Sequence, residues 1–119
     1  ALRDFICRTV GSVGQIYKAL KPNSKTIRIA FIYGSIAAYN AQEDSDVDLM
    51  IIGDVTYLEL AKRLRRVQRK MNREINTSIF TPREFASRYD VNGSFIADIV
   101  SGHKLFVLGD EDELRALVQ

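Results

Sequence analysis

Several things that this sequence lacks narrow the class of protein. A single cysteine, Cys7, excludes an internal disulfide bond and is typical of a reducing compartment. No apolar run reaches the ~20 residues that a transmembrane helix needs, and no stretch has the pattern of a signal peptide. His103 is the only histidine, so a zinc site built from histidine and cysteine is not expected. These absences predict a cytoplasmic protein without a membrane-spanning segment.

The composition is that of one globular domain. The 119 residues are 46% hydrophobic and 27% charged, which is enough for one core and too little for two. A net charge of +2 creates no whole-molecule field that would attract nucleic acid or a membrane. We therefore predict a single domain over residues 1–119. Because the chain starts with Ala1 inside a predicted helix, a piece of a longer protein is a further interpretation.

Hydrophobic periodicity predicts ten elements in the order α-β-α-β-α-β-α-α-β-α. Apolar residues at three- and four-residue steps, with capping signals, predict the helices. Runs of β-branched and aromatic residues predict the strands. The fold class is therefore α/β (α+β), with one small mixed sheet and helices packed on it. The predicted strands cover residues 27–33, 47–52, 74–80 and 104–108, and the helices cover 2–20, 35–39 and 56–72 and begin again at 81, 94 and 110, with a polar loop over 40–45.

The stretch between the first two predicted strands carries the candidate chemistry. Asp46 and Asp48 stand two residues apart at the start of a strand, so both side chains leave the same face, with Cα atoms ~7 Å apart. Two like charges held this close are costly without a counter-ion. Carboxylate oxygens suit Mg²⁺, which would remove that cost. A pair that only ends a strand and faces water is the alternative explanation.

A Gly-Ser step ends the first predicted strand. Gly34 would let a phosphate approach the backbone, and the Ser35 hydroxyl and the N–H groups of the next helix would meet the anion there. Alone, such a step is more typical of a plain turn. Its position eleven residues before Ser45-Asp46-x-Asp48-Leu49 makes the combination much more specific.

Gly34-Ser35-x-Ala37 followed by Ser45-Asp46-Val47-Asp48-Leu49 resembles the signature of the DNA polymerase β-like nucleotidyltransferase superfamily, above all its minimal members. In these proteins a third carboxylate lies on a neighbouring strand, and the stretch that begins at Arg73-Glu74 resembles that part of the pattern. The similarity extends over residues 28–108. It implies the nucleotidyltransferase fold and transfer of a nucleoside monophosphate from an NTP, ATP in particular, to a hydroxyl group.

The resemblance also implies roles for individual residues. Asp46 and Asp48 would bind Mg²⁺, in a site that could hold two metal ions. Glu74 would be the third carboxylate, as a metal ligand or as the base for the attacking hydroxyl; an ordinary exposed acid is its alternative. The residues that would hold the nucleotide are Gly34, Ser35 and Ser45.

Two departures from the family's pattern favour a second hypothesis. Relatives commonly have a basic residue and a glycine where this chain has Ala38 and Tyr39, and the lost positive charge would weaken triphosphate binding or turnover. Glu74 in place of aspartate moves the carboxylate outward by one methylene. The alternative function is therefore a catalytically weak or silent nucleotide-binding module with a regulatory or interaction role.

The resemblance implies a partner as well. Larger relatives add a helical domain that helps to hold the acceptor, so in this short chain the acceptor pocket is open or a partner completes it. In minimal members the partner is often a small helical protein, as in toxin–antitoxin pairs; other members are fused to a winged-helix DNA-binding domain. A third hypothesis is nucleic-acid binding through the basic helix over 56–72, for which a solvated polar face is the simpler explanation. Its basic residues are Lys62, Arg63, Arg65, Arg66, Arg69 and Lys70.

Overall fold

The computed structural model describes the backbone of residues 2–34, 46–90 and 92–119, and the side chains of these residues from position 11 onward. The short helix predicted over residues 35–39 and the loop predicted over residues 40–45 lie outside the described residues. Within the described ranges, the helices and strands follow one another in the predicted order.

Four strands in the described ranges form one mixed sheet, as predicted: β1 (Ile27–Tyr33), β2 (Val47–Gly53), β3 (Ile75–Phe80) and β4 (Lys104–Leu108). Their order across the sheet is β3-β2-β1-β4. Strand β1 is antiparallel to β2 and to β4, whereas β2 and β3 are parallel. The end of β1 therefore meets the beginnings of β2 and β3 at one end of the sheet.

The helices in the described part of the chain are α1 (Leu2–Leu20), α2 (Tyr57–Met71), α3 (Pro82–Arg88), α4 (Phe95–Ser101) and α5 (Glu111–Val118), with a 3₁₀ turn at Lys21–Asn23. Two of them begin with the capping boxes that the sequence predicts. The Glu59 carboxylate accepts a hydrogen bond from the Thr56 N–H, and Glu84 and Thr81 exchange such bonds at α3. These bonds satisfy backbone groups that the helix itself leaves without partners. None of these helices is long and apolar enough to cross a membrane.

The sheet lies between two layers of helices, because side chains alternate between its faces along each strand. Strand β2 is buried on both sides from Leu49 onward. Helices α1 and α2 pack on one face, where Ile16, Leu20, Leu60 and Leu64 meet Ala30, Ile32, Leu49 and Ile51. Helices α3, α4 and α5 pack on the other face, where Phe85, Ile96, Ile99 and Leu114 meet Ile29, Phe31, Met50 and Ile52.

Candidate active site

The strand register aligns three polar side chains at one end of the sheet. Asp48 of β2 lies directly opposite Tyr33 of β1 and directly opposite Asn76 of β3. Because of the alternation along each strand, these side chains belong to the face that carries α3, α4 and α5. Tyr33 and Asp48 are half-buried and Asn76 is exposed, so the three side chains lie at the boundary between the hydrophobic core and solvent.

Asn76 connects the two aspartates. Its Nδ2 donates to Oδ2 of Asp46 at 3.3 Å and to Oδ1 of Asp48 at 3.4 Å. The two carboxylates therefore converge on one point, and the N–H groups of a neutral amide lie between them. Sequence reasoning missed Asn76 as a site residue, although alternation along the predicted strand over residues 74–80 puts it on the same face as Glu74.

Gly34 follows the last residue of β1 and lies against Asp48. Its φ angle is +80°, in the left-handed region. A Cβ atom at this position would lie only 2.6 Å from Oδ2 of Asp48. Glycine alone meets both constraints, since it has no Cβ and adopts positive φ without strain. The predicted phosphate-binding glycine and the predicted metal ligand Asp48 are thus immediate neighbours.

Tyr33 and Ser78 complete this end of the sheet, and neither was predicted as a site residue. Burial raises the pKa of the Tyr33 hydroxyl above its ordinary value of 10.0; a hydrogen bond with Ser78 opposes the rise, and the nearby charge of Asp48 adds to it. Tyr33 is therefore protonated at neutral pH, and its hydroxyl both donates and accepts. The strand register that brings these side chains beside Asp48 is not visible in the sequence.

Glu74, the predicted third carboxylate, lies at the end of the sheet that carries the two aspartates. It is exposed and immediately precedes β3, where its backbone carbonyl accepts a hydrogen bond from the Val47 N–H at 2.8 Å. Across residues 11–34, 46–90 and 92–119, no group of three or more Asp, Glu, His or Cys side chains is placed to hold a metal ion. The role of Glu74 therefore stays a prediction. Ser35 and Ser45 lie outside the described residues.

The donors at this site fit a single divalent cation. Asp46 and Asp48 offer carboxylate oxygens, and the Asn76 amide can turn to offer its Oδ1. Mg²⁺ commonly binds through one or two carboxylates, with waters and substrate phosphates as the remaining ligands. Because Asn76 is neutral, these three side chains carry one negative charge fewer than three carboxylates would, and they attract a cation less strongly.

The basic side chains of α2 have two different environments. Arg63 is half-buried; its Nε donates to the backbone carbonyl of Ala19 at 2.6 Å, and its guanidinium also bonds to Asn23. It therefore ties α2 to the end of α1. Binding of nucleic acid through the remaining basic residues stays a prediction. The exposed ones are Lys62, Arg65, Arg66, Arg69 and Lys70.

Comparison with solved structures gives the same fold. A toxin–antitoxin structure with AMP-PNP matches with a TM-score of 0.59 and 12% identity, over 89% of this chain and 80% of that chain. The toxin–antitoxin MntA-HepT matches with a TM-score of 0.52 and 11% identity, over 90% and 78%. A tri-AMPylated Shewanella oneidensis HEPN toxin in complex with MNT antitoxin matches with a TM-score of 0.54 and 10% identity, over 92% and 80%. At these identities the likeness shows the fold.

Sequence comparison supplies the family. A search of curated protein sequences found none that matches this chain. The family model described as polymerase beta, nucleotidyltransferase, matches residues 14–111, which include all four strands and the Gly34, Asp46 and Asp48 cluster. This chain therefore belongs to the polymerase β-like nucleotidyltransferase family, and its structural neighbours are minimal nucleotidyltransferases of toxin–antitoxin pairs.

Proposed function

We propose that this domain transfers a nucleoside monophosphate from an NTP, with ATP as the favoured donor, to a hydroxyl group on a partner protein, with Mg²⁺ bound at Asp46 and Asp48. The observation that carries the proposal is the convergence of these carboxylates beside Gly34. A cation ligand pair and a glycine that lets a phosphate approach the backbone are the two parts that an NTP site needs. Membership of the nucleotidyltransferase family supports this interpretation.

The proposed reaction is a displacement at the α-phosphorus. The acceptor oxygen forms a bond to the α-phosphorus, the bond from that phosphorus to the oxygen bridging to the β-phosphate breaks, and pyrophosphate leaves. The hydroxyl proton passes to a base or to water. When bound, Mg²⁺ would neutralise phosphate charge and orient the reacting oxygens. The contribution of the chain itself is to hold the cation through Asp46 and Asp48 and to leave room for the triphosphate at Gly34.

The acceptor is proposed to belong to a small helical partner protein. One structural neighbour is a tri-AMPylated toxin in complex with its antitoxin, which is a precedent for a protein acceptor in that pair. Another was solved with AMP-PNP, which supports ATP as the donor. Both neighbours share the fold of this chain at low identity, so partner and donor are part of the proposal.

A second candidate function is nucleotide binding with slow or no transfer, and Asn76 favours it. This residue lies opposite Asp48 and contacts both aspartates, yet it has no charge and cannot accept a proton as a carboxylate does. A site with only two carboxylates would bind one cation with its nucleotide but would lack a base beside the attacking hydroxyl. The two candidates share the site and differ in turnover.

The test compares nucleotide binding and label transfer in the same set of proteins. Calorimetry would measure MgATP binding, and [α-³²P]ATP and [γ-³²P]ATP would be incubated with the domain and any co-purifying partner. Asp46→Asn and Asp48→Asn are expected to lose binding and transfer at least tenfold. Asp54→Asn is the matched control, because Asp54 is an exposed aspartate beyond the opposite end of β2.

The possible outcomes distinguish the two candidate functions. Transfer of the α-label without the γ-label, lost in the two site variants and kept in the control, supports the enzyme. Mg²⁺-dependent binding without label transfer supports the second candidate. Binding that is unchanged in Asp46→Asn and Asp48→Asn would refute both.

A further inference from the structure

An exposed phenylalanine stands at the start of α4. Phe95 is 65% exposed, whereas Ile96, Ile99 and Val100 of the same short helix are buried. Single exposed apolar residues are common on protein surfaces, so exposure alone has no functional meaning. The position of Phe95 indicates a function, because its ring borders a cavity that reaches the candidate active site.

The cavity has a volume of about 360 Å³ and is lined by Tyr33, Gly34, Asp48, Phe95, Asp98 and His103, among others. Volumes of roughly 300–1,000 Å³ are usual for sites that bind small molecules. Gly34 and Asp48 connect the cavity to the proposed phosphate and cation site. An NTP with its phosphates at Gly34 would therefore have this cavity beside it for its nucleoside.

The Phe95 ring is held in place without being covered. Its centroid lies 6.4 Å from that of Tyr33 with an interplanar angle of 75°, and Tyr33 is in turn 6.2 Å from Phe31 with an angle of 67°. Edge-to-face contacts of this kind orient aromatic rings. Phe31 is completely buried, so the row of rings connects Phe95 to the core. A positioned and exposed aromatic ring is the arrangement on which a nucleobase stacks.

We propose that this cavity binds the nucleoside of the NTP, with the base stacked on Phe95. The inference rests on the proposed nucleotide binding and adds where the nucleoside lies. Asp98 and His103 supply polar groups within the same cavity for the ribose hydroxyls or for the edge of the base. Because stacking accepts any base, Phe95 contributes affinity for nucleosides in general rather than a preference for adenine.

The test separates the nucleoside from the phosphates. Binding of MgATP and of magnesium tripolyphosphate, which has the phosphates without a nucleoside, would be measured by calorimetry. Phe95→Ala is expected to weaken MgATP binding by about 5- to 150-fold, the loss of one base–aromatic stack. Tripolyphosphate binding should stay the same, and Phe95→Tyr should keep MgATP affinity within about twofold, as an intact stack requires. Tyr57→Ala is the control, because Tyr57 is an exposed aromatic residue that borders a different cavity.

A fluorescence measurement gives an independent result. The chain contains no tryptophan, so Phe95→Trp introduces a single reporter at the proposed stacking position. MgATP should quench its emission and magnesium tripolyphosphate should not. Quenching by MgATP alone, together with the selective loss in Phe95→Ala, would establish the nucleoside site.

Other outcomes overturn the inference in distinguishable ways. If the unaltered protein binds MgATP and Phe95→Ala binds it equally well, the nucleoside lies elsewhere, and the inference fails while the proposed function stands. An equal loss of MgATP and tripolyphosphate affinity in Phe95→Ala would mean that the residue only supports the shape of the site. Failure of the unaltered protein to bind either ligand would overturn the proposed function and this inference together.

Discussion

Replacing Asn76 with aspartate would put a third carboxylate where a neutral amide now touches both aspartates. The present contacts are 3.3 Å to Asp46 and 3.4 Å to Asp48. Two unit charges at such a separation repel by about 1 kcal/mol even when water screens them fully, so the two new pairs cost about 2 kcal/mol in the metal-free protein. The two hydrogen bonds from the amide are lost as well. Asn76→Asp should therefore destabilise the metal-free fold.

A divalent cation should reverse this cost, because it removes the repulsion among the carboxylates. The 2 kcal/mol of relieved repulsion corresponds to about 30-fold tighter cation binding. Titration with Mn²⁺ followed by electron paramagnetic resonance measures that affinity directly and needs no enzymatic activity. Thermal unfolding in EDTA should show a midpoint lower by on the order of 5–10 °C, which Mn²⁺ or Mg²⁺ restores.

Two variants control for other causes. Ser24→Asp adds the same charge before β1, at the end of the sheet opposite to Gly34, and should change cation affinity less than twofold since its charge is far away and screened. Asn76→Ala removes the hydrogen bonds without adding charge and should not tighten cation binding. Equal or weaker Mn²⁺ binding in Asn76→Asp would show that the three side chains do not share a cation and would refute the argument. A gain in label transfer would show that the neutral amide of Asn76 limits turnover.

Three further perturbations test the structure around the site. Gly34→Ala should lower the free energy of unfolding by about 1–3 kcal/mol and weaken MgATP binding, because its Cβ would meet Asp48 and its φ angle is positive. The control Gly93→Ala, at positive φ with open space around it, should lose only the stability that backbone strain costs. Urea unfolding measures the stability, and calorimetry measures the binding. The pKa of Tyr33 is raised in the folded state, so its protonated hydroxyl contributes stability that is complete below the unfolded-state pKa of about 10. This contribution is lost as the pH rises through the higher folded-state pKa. Tyr33→Phe should therefore reduce the alkaline loss of stability in unfolding curves taken from pH 8 to 12. Phe85→Ala should destabilise the fold by about 3–5 kcal/mol, because the ring is completely buried between α3 and the sheet; a loss below 1 kcal/mol in chemical denaturation would contradict that packing.

Local signals were sufficient to predict most of the elements. The Thr56 and Glu59 box and the Thr81-Pro82 start act within one helical turn, so they predict where α2 and α3 begin without any tertiary information. The burial of β2 on both faces also follows from its unbroken apolar run. Exposure of Phe95 could not be predicted, since its spacing from Ile99 is the same as that of a buried pair on an apolar stripe.

Some residues of the candidate site could be predicted from the sequence, whereas others could be identified only from the tertiary structure. The sequence by itself determined the strands, the Asp46 and Asp48 pair and the glycine that precedes them, because these depend on short-range spacing and on an unusual backbone angle. It could not determine which residue of β3 faces the pair. Glu74 and Asn76 are two apart and lie on the same face of the strand, so alternation does not distinguish them. Only the pairing of β2 with β3, set by packing on both sides of the sheet, places Asn76 against both aspartates.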